Sequence, residues 1–317
     1  MTDENINSVP SAPAGMIYIP GGAFAMGSER YYPEEAPVRN VRVDPFWIDI
    51  TPVTNAEFAS FVAATGHVTF AETAPDPKDY PGMQPELAYA GSLVFMPPPA
   101  KVDLRVVQWW EFGIGANWRE PLGPGSSTEG LEHHPVVHIA WSDAEAYAAW
   151  AGKSLPTEAE WEFAARGGLE GKEFAWGDEL APEGKMLANY WQGEFPHANT
   201  LLDGWERTSP VGSFPPNGYG LYDMIGNVWE LTADWYSQPR GNVKSCCIPS
   251  NPRGGTREES INQADSHFPR KVLKGGSHLC ADNYCRRYRP AARHPHSIDT
   301  TTSHVGFRCV KRIAAET

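Results

Sequence analysis

Cys280 and Cys285, separated by four residues in the stretch GGSHLCADNYCRRYR, are the side chains of this sequence best suited to redox or soft-metal chemistry. That spacing lets two sulfurs converge from one tight loop. Thiolates are soft ligands that select Cu(I), zinc or iron–sulfur clusters, whereas magnesium and calcium prefer oxygen, so an isolated pair points to a low-coordinate soft metal with Cu(I) as the natural candidate. A free thiol of pKa near 8.5 resists ionisation at pH 7 by roughly 2 kcal/mol, before the repulsion between two thiolates is counted. A bound cation offsets that cost, and Arg286, Arg287 and Arg289 follow closely enough to add positive field. The spacing alone leaves other uses open: ordinary buried or disulfide-paired cysteines, and structural zinc. Zinc wants four ligands, and the adjacent Cys246 and Cys247 are poorly arranged to aim both sulfurs at one tetrahedral ion.

Five cysteines in a chain of 317 residues argue against a disulfide framework and for reduced thiols. Cys246 and Cys247 read as two separate small residues, because adjacent cysteines form only strained disulfides. Cys309 reads as a buried apolar thiol. His134 and His138 have the spacing of a helical metal site, yet Pro135 follows the first and PVVHIAW alternates like a strand, pointing successive residues to opposite faces, so a structural role is expected. The twelve tryptophans read as core and loop packing.

The elements that must position these groups are short. Capping boxes, in which a Ser or Thr and a Glu three residues later satisfy each other's orphan amides, predict helices starting at Thr54-Glu57, Ser142-Glu145 and Thr157-Glu160, stopping before Gly66, Gly152 and Gly167. Met16 to Ile19 and Ala23 to Met26 flank Pro20-Gly21-Gly22 and predict two strands about a turn; Val38 to Val43 alternates as a half-buried strand, and Val211 to Phe214 and Gly306 to Val310 are strand-sized fragments. With 30 Gly and 29 Pro, much of the backbone is expected to be irregular but ordered. The absence of strand–helix alternation favours one α+β domain over a doubly wound sheet, covering residues 15–313 after a loose polar tail at 1–14.

A net charge of −13 excludes a phosphate-tracking surface and suits a positively charged client, so no nucleic acid is expected as a partner. No run of eighteen apolar residues exists and no basic residue precedes Arg30, so neither a membrane span nor a secretory signal is expected, and the chain reads as cytoplasmic.

The segment from Gly275 to Val310, with GGS, C-x4-C, RYR, AAR and GFRC in order, resembles the formylglycine-generating enzymes, the sulfatase-modifying factors. IPGGAFAMGS, TPVTNAEF, LPTEAEWEFAARGG, ANYWQGEFP and NGYGLYDMIGNVWELT extend the resemblance over residues 16–312. It implies a fold related to the C-type lectins, with little regular structure and long ordered loops. It implies a copper-dependent oxidase that converts the cysteine of a Cys-x-Pro-x-Arg motif in nascent or unfolded sulfatases to formylglycine with O2 and a thiol reductant. Carried over by position, Cys280 and Cys285 match the catalytic copper-binding pair, while Ser277, Tyr284 and Trp229 match residues lining the substrate and oxygen pocket. The client thiol would join the metal, a hydrogen would leave its Cβ, and the resulting thioaldehyde would hydrolyse to the aldehyde. Two oxygen-rich clusters resemble the family's calcium sites: Asn189, the Tyr190 carbonyl, Asp203 and the Trp205 carbonyl; and Asp223, the Gly226 and Val228 carbonyls, and Glu230. The family position at Asp223 often holds Asn, and the added charge should strengthen cation binding. Some members pair the cysteine matching Cys309, but alanines around Ala148 and Ala164-Ala165 stand where its partner would be.

Three other functions share parts of this pattern. A non-heme iron sulfoxide synthase needs a further histidine-bearing domain, for which the fifteen residues before the match leave no room. A lectin-like binding module would lack the thiols. Metal-free disulfide exchange with the client would keep them, and copper content separates it from the oxidase. With no sustained apolar stripe, a monomer is expected.

Overall fold

In the computed structural model, which describes residues 12–238, 248–261 and 268–313, three α-helices and a set of small sheets are embedded in ordered loops. The first helix, α1 (Asn55–Thr65), starts at a capping box in which Thr54 Oγ1 accepts the Glu57 N–H and Glu57 returns the bond to the Thr54 N–H; it ends at Gly66 in the left-handed region. The third, α3 (Glu158–Arg166), starts at the same device with Thr157 and Glu160 and ends at left-handed Gly167. The second, α2 (Trp141–Trp150), departs from the expected box. Its first free amide, that of Ala140, is taken at 3.0 Å by Asp143 rather than by a Ser142–Glu145 pair. A carboxylate one turn into the helix serves as well as a capping hydroxyl, and the chain enters two residues earlier.

The opening strands also differ from expectation. Met16–Ile19 and Gly22–Met26 do not pair as a hairpin; the first pairs with Phe46–Asp49, the second with Arg39–Val43. Gly21 packs against the Val43–Pro45 backbone so closely that a Cβ would lie 2.5 Å from the Val43 carbonyl oxygen. That contact sends the two strands to separate partners. Residues 211–214 form a turn instead of a strand, and 305–310 splits into Val305–Gly306 and the start of Val310–Arg312 with irregular backbone between. Residues 1–11 of the expected tail, and Cys246 and Cys247, lie outside the described residues.

One four-stranded sheet organises the cysteine segment, in the order Arg293–Ser297, Arg270–Lys274, Trp229–Trp235, Val305–Gly306. Arg270–Lys274 and Arg293–Ser297 are antiparallel with Lys274 opposite Arg293, so residues 275–292 form a loop closed at its base by that pair. Gly275 and Gly276, at φ +89° and +71°, turn the chain out of the sheet, and a Cβ on Gly276 would meet the Arg287 and Tyr288 backbone at 2.7 Å. The outgoing and returning arms of the loop therefore touch only because residue 276 has no side chain.

Helix α3 lies beneath this base and is buried on all sides, charges included. Glu158 takes Arg293 through two bonds of 2.7 and 2.9 Å and stands 3.8 Å from Lys274; Glu162 takes Lys274 at 3.0 Å and Arg166 at 2.7 Å. Trp161 donates its indole N–H to Glu230, which is also gripped by the fully buried Arg308. The apolar core fills the space on both sides, one part around Phe58, Phe61, Tyr147 and Phe307, another around Ile19, Phe46, Trp161 and Met224. Tryptophans 47, 109, 118, 161, 191 and 229 are buried, as expected of packing residues.

Removing one partner of a buried ion pair leaves an uncompensated charge. Glu158→Gln, which strands Arg293 and weakens the hold on Lys274, is expected to lower unfolding stability by about 3–5 kcal/mol in chemical denaturation. Burial alone would raise the Glu162 pKa, but Lys274 and Arg166 outweigh it and bring it from 4.5 down to about 2. Its contribution to stability is therefore complete above the unfolded pKa and is lost as pH falls towards 2. Denaturation midpoints measured across that interval should fall less steeply for Glu162→Gln than for the unsubstituted protein.

Candidate active site

The loop 275–292 brings the two cysteine sulfurs to 3.3 Å from each other. Its backbone is held from within and without: Cys280 N–H donates to the Ser277 carbonyl, Cys285 N–H to that of Ala281, and the Cys280 carbonyl accepts the Trp191 N–H at 3.0 Å. Cys280 is buried, Cys285 partly so, and both are free thiols. At this separation one sulfur donates its proton to the other. The Cys280 thiol is pushed well above the ordinary range by burial, the bond to Cys285 and the Cys285 charge. Cys285 is lowered to about 7, first by the hydrogen bond from Cys280, then, against burial, by the Arg287 guanidinium 3.7 Å away. Once the pair has lost one proton, the charge falls on Cys285 and the remaining proton stays on Cys280.

Of the three arginines after the pair, only Arg287 faces the sulfur. Its other amino group is 2.7 Å from Glu34 and its plane lies over the Tyr32 ring at 3.8 Å. Arg286 turns to Glu173 and Asp282, and Arg289 is buried against Glu35. Sequence reasoning missed Glu34 and Tyr32, which reach this loop from far along the chain and carry no local signal.

A cleft of about 220 Å³ opens on the sulfurs, and Ser277, Trp229 and Tyr284 all line it together with Cys280 and Cys285. Ser277 is fully buried; its N–H points at Cys280 Sγ at 3.5 Å and its hydroxyl oxygen accepts the Leu279 N–H. Tyr284 stacks on Phe195 at 4.6 Å, with the Trp109 ring edge-on at 5.3 Å, and Trp229 lies beside His294. Phe195, Trp109, Trp110, His294, His296 and His304 are lining residues that sequence reading did not single out. Of these, Phe195 stands in the quoted ANYWQGEFP stretch and was the most accessible to it.

Cys309 is buried and free, its N–H bonded to Asp49, and burial pushes its thiol well above the ordinary range. His134 and His138 do not lie on a strand. His134 meets Thr208, and fully buried His138, at φ +62°, meets Ser92 and the Pro121 carbonyl, with burial lowering its pKa to about 4. They share no ligand position.

The first oxygen cluster is drawn together: Asp203 Oδ2 and the Tyr190 carbonyl both accept the Gln192 side-chain N–H, the latter through a very short contact. Asn189 spends its amide N–H on the Arg207 carbonyl, and the Trp205 N–H reaches the other Asp203 oxygen. In the second cluster Asp223, raised to about 6 by burial, accepts the Gly212 N–H, while both Glu230 oxygens are bonded to Arg308. A calcium beside Gly226 and Val228 would have to share Glu230 with an arginine. Among the described residues no group of three or more His, Cys, Asp and Glu side chains is placed to hold a metal, so no tetrahedral zinc set is assembled.

A single α+β domain with few helices, carrying a contacting thiol pair on the wall of an aromatic cleft, is the class of protein that fold and site define. Residues 2–313 match the family model described as a sulfatase-modifying factor enzyme 1-like domain, and the chain belongs to that family. It is 52% identical over 299 residues to the formylglycine-generating enzyme of Mycobacterium tuberculosis, covering 93% of this chain and 97% of that one. It is also 39% identical to the inactive C-alpha-formylglycine-generating enzyme 2 of Mus musculus, over 93% of this chain and 84% of that one. The fold is shared with PvdO from Pseudomonas aeruginosa at a TM-score of 0.64 and 24% identity, covering 94% of each chain. Because the family includes relatives named inactive, membership does not decide turnover; the thiols must.

Carbamidomethylation of the reduced, chelator-treated protein, followed residue by residue by mass spectrometry, should show Cys285 reacting with a midpoint near pH 7 and Cys280 reacting far more slowly. Cys280→Ala removes the largest stabilising hydrogen bond, so the Cys285 midpoint should move up.

Proposed function

We propose that this chain is a formylglycine-generating enzyme that oxidises the cysteine of a Cys-x-Pro-x-Arg motif in nascent or unfolded sulfatases. The observation that carries this reading is the thiol pair, 3.3 Å apart, on the wall of a cleft also lined by Trp229, Ser277 and Tyr284. The overall change is balanced when dioxygen takes two electrons from the client side chain and two from a thiol reductant. The client then exchanges its sulfur for oxygen and releases hydrogen sulfide, and water is formed.

Cys280 and Cys285 would hold Cu(I), which supplies the one-electron chemistry that dioxygen needs to react with a thiol. Two soft sulfurs converging beside a cleft fit such an ion. The protein's own part is positional and electrostatic. Arg287 favours the thiolate of Cys285 and the Ser277 N–H fixes the Cys280 sulfur. The Phe195–Tyr284 stack and Trp109 supply an apolar wall that limits water around a bound client thiol.

Structural calcium belongs to the same reading. The converging oxygens of Asp203 and Tyr190, and the raised Asp223 carboxyl, support it, since a bound cation would offset the crowding of one and the desolvation of the other. The low content of regular structure supports a scaffold related to the C-type lectins. We further read the protein as cytoplasmic and monomeric, which suits free thiols and an encounter with unfolded clients.

Incubation of a Cys-x-Pro-x-Arg peptide with the protein, Cu(I) and a thiol reductant in air should produce a peptide lighter by one sulfur and two hydrogens and heavier by one oxygen. Cys280→Ser and Cys285→Ser should each abolish that product. Full turnover by copper-depleted, reduced protein would instead favour disulfide exchange without metal.

A further inference from the structure

Behind the aromatic wall of the cleft lies a second cavity of about 180 Å³, lined among others by Phe95, Trp191, His197, Glu206 and Arg207. Among the described residues its lining holds a buried donor without an acceptor and a guanidinium without an ion pair. The buried arginines 289, 293 and 308 each meet a glutamate at 2.7 Å or closer, as buried guanidinium groups usually do. Arg207 makes no such pair among the described residues. The one hydrogen bond of its side chain within them is a long one of 3.4 Å to the Phe95 carbonyl. Trp191 is 5% exposed and its indole N–H has no acceptor among the described residues; the buried Nδ1 of His197 has no partner either. Glu206 acts on Arg207 only at a distance and is solvent-exposed.

The indole N–H of Trp191, sealed from solvent without an acceptor among the described residues, carries a desolvation cost that persists in a fold only if something offsets it. Arg207 brings a cation to the lining and Glu206, beyond ion-pair distance, an anion, so the guanidinium fork is open to a second carboxylate. A neutral carbonyl would satisfy one donor; a planar carboxylate satisfies the guanidinium fork in two places and leaves an oxygen edge for a further N–H.

The cavity is also tied to the thiols. Trp191 donates its backbone N–H to the Cys280 carbonyl, and Phe95 stacks on Phe195 at 5.8 Å, the ring on which Tyr284 rests. The two cavities therefore share one aromatic wall, with Phe95 lining one and its neighbour Phe195 the other.

We propose that this cavity is a subsite for an aspartate or glutamate side chain of the client, lying a few residues from the cysteine that is oxidised. The assignment rests on the reading of the cleft as the client's binding place. It makes Arg207 and Trp191 determinants of client choice, separate from the residues that touch the reacting sulfur.

The test uses peptides containing Ala-x-Pro-x-Arg, so that nothing is turned over, with Glu or Gln walked through the flanking positions and binding to the full chain measured by calorimetry. One Glu position should bind about tenfold or more tighter than its Gln counterpart, the size of a charge-assisted hydrogen bond. Arg207→Gln should erase that difference, Arg207→Lys should keep part of it, and Trp191→Phe, which preserves the ring, should reduce it. Equal binding of Glu and Gln at every position, or a loss on Arg207→Gln that is the same for both, would overturn the proposal. Aldehyde formation without any acid preference removes the subsite and spares the proposed activity; an acid preference without aldehyde formation does the reverse.

Discussion

Lys274 and Arg293 are the two feet of the cysteine loop, and both stand on Glu158 of α3, with Glu162 holding Lys274 from one turn further along. The loop they carry is neither helix nor strand, so no repeating hydrogen-bond ladder fixes its ends. Buried ion pairs contribute little net stability, because desolvation consumes most of the Coulombic gain, but they are unforgiving of displacement. That property suits a segment whose task is to hold two sulfurs in contact. Helix α3 is short and wholly buried, which would be costly for a charged helix in isolation; here every inward charge has a partner. The same logic recurs at Arg289–Glu35 and Arg308–Glu230, which tie the end of the loop and the final strand region to the body.

Local chemistry was legible where one short stretch decides it. The boxes at Thr54 and Thr157 and the glycine stops at Gly66 and Gly167 are written in consecutive residues and appear as read. Ser142-Asp143-Ala144-Glu145 offered two acids in competing registers, and the one that could reach the Ala140 amide won. Strand partners were not legible: Pro20-Gly21-Gly22 looks like a hairpin turn, but its backbone is claimed by the Val43–Pro45 segment, a contact between distant residues.

The site divides in the same way. Cys280, Cys285, Ser277, Tyr284 and Trp229 were named from motif positions, and the fold gathers all of them on one cleft. The groups that tune the pair were beyond reach, because Glu34 and Tyr32 meet Arg287 only through tertiary packing. Which of the three arginines faces the sulfur depended on the loop's path, fixed by the close approach of Gly276 to residues 287 and 288. Arg207 and Trp191 likewise become notable only once the fold shows that, among the described residues, the guanidinium has no carboxylate pair and the buried indole N–H no acceptor.

Everything proposed for this protein turns on two sulfurs acting together as the seat of a soft metal ion. Anaerobic titration of the reduced protein with Cu(I), against a competing chromophoric chelator, tests this without any client present. The account predicts one tightly held equivalent per chain, lost in Cys280→Ser and in Cys285→Ser while calorimetric unfolding shows both variants still folded. Retention of that equivalent by the double serine variant would contradict it.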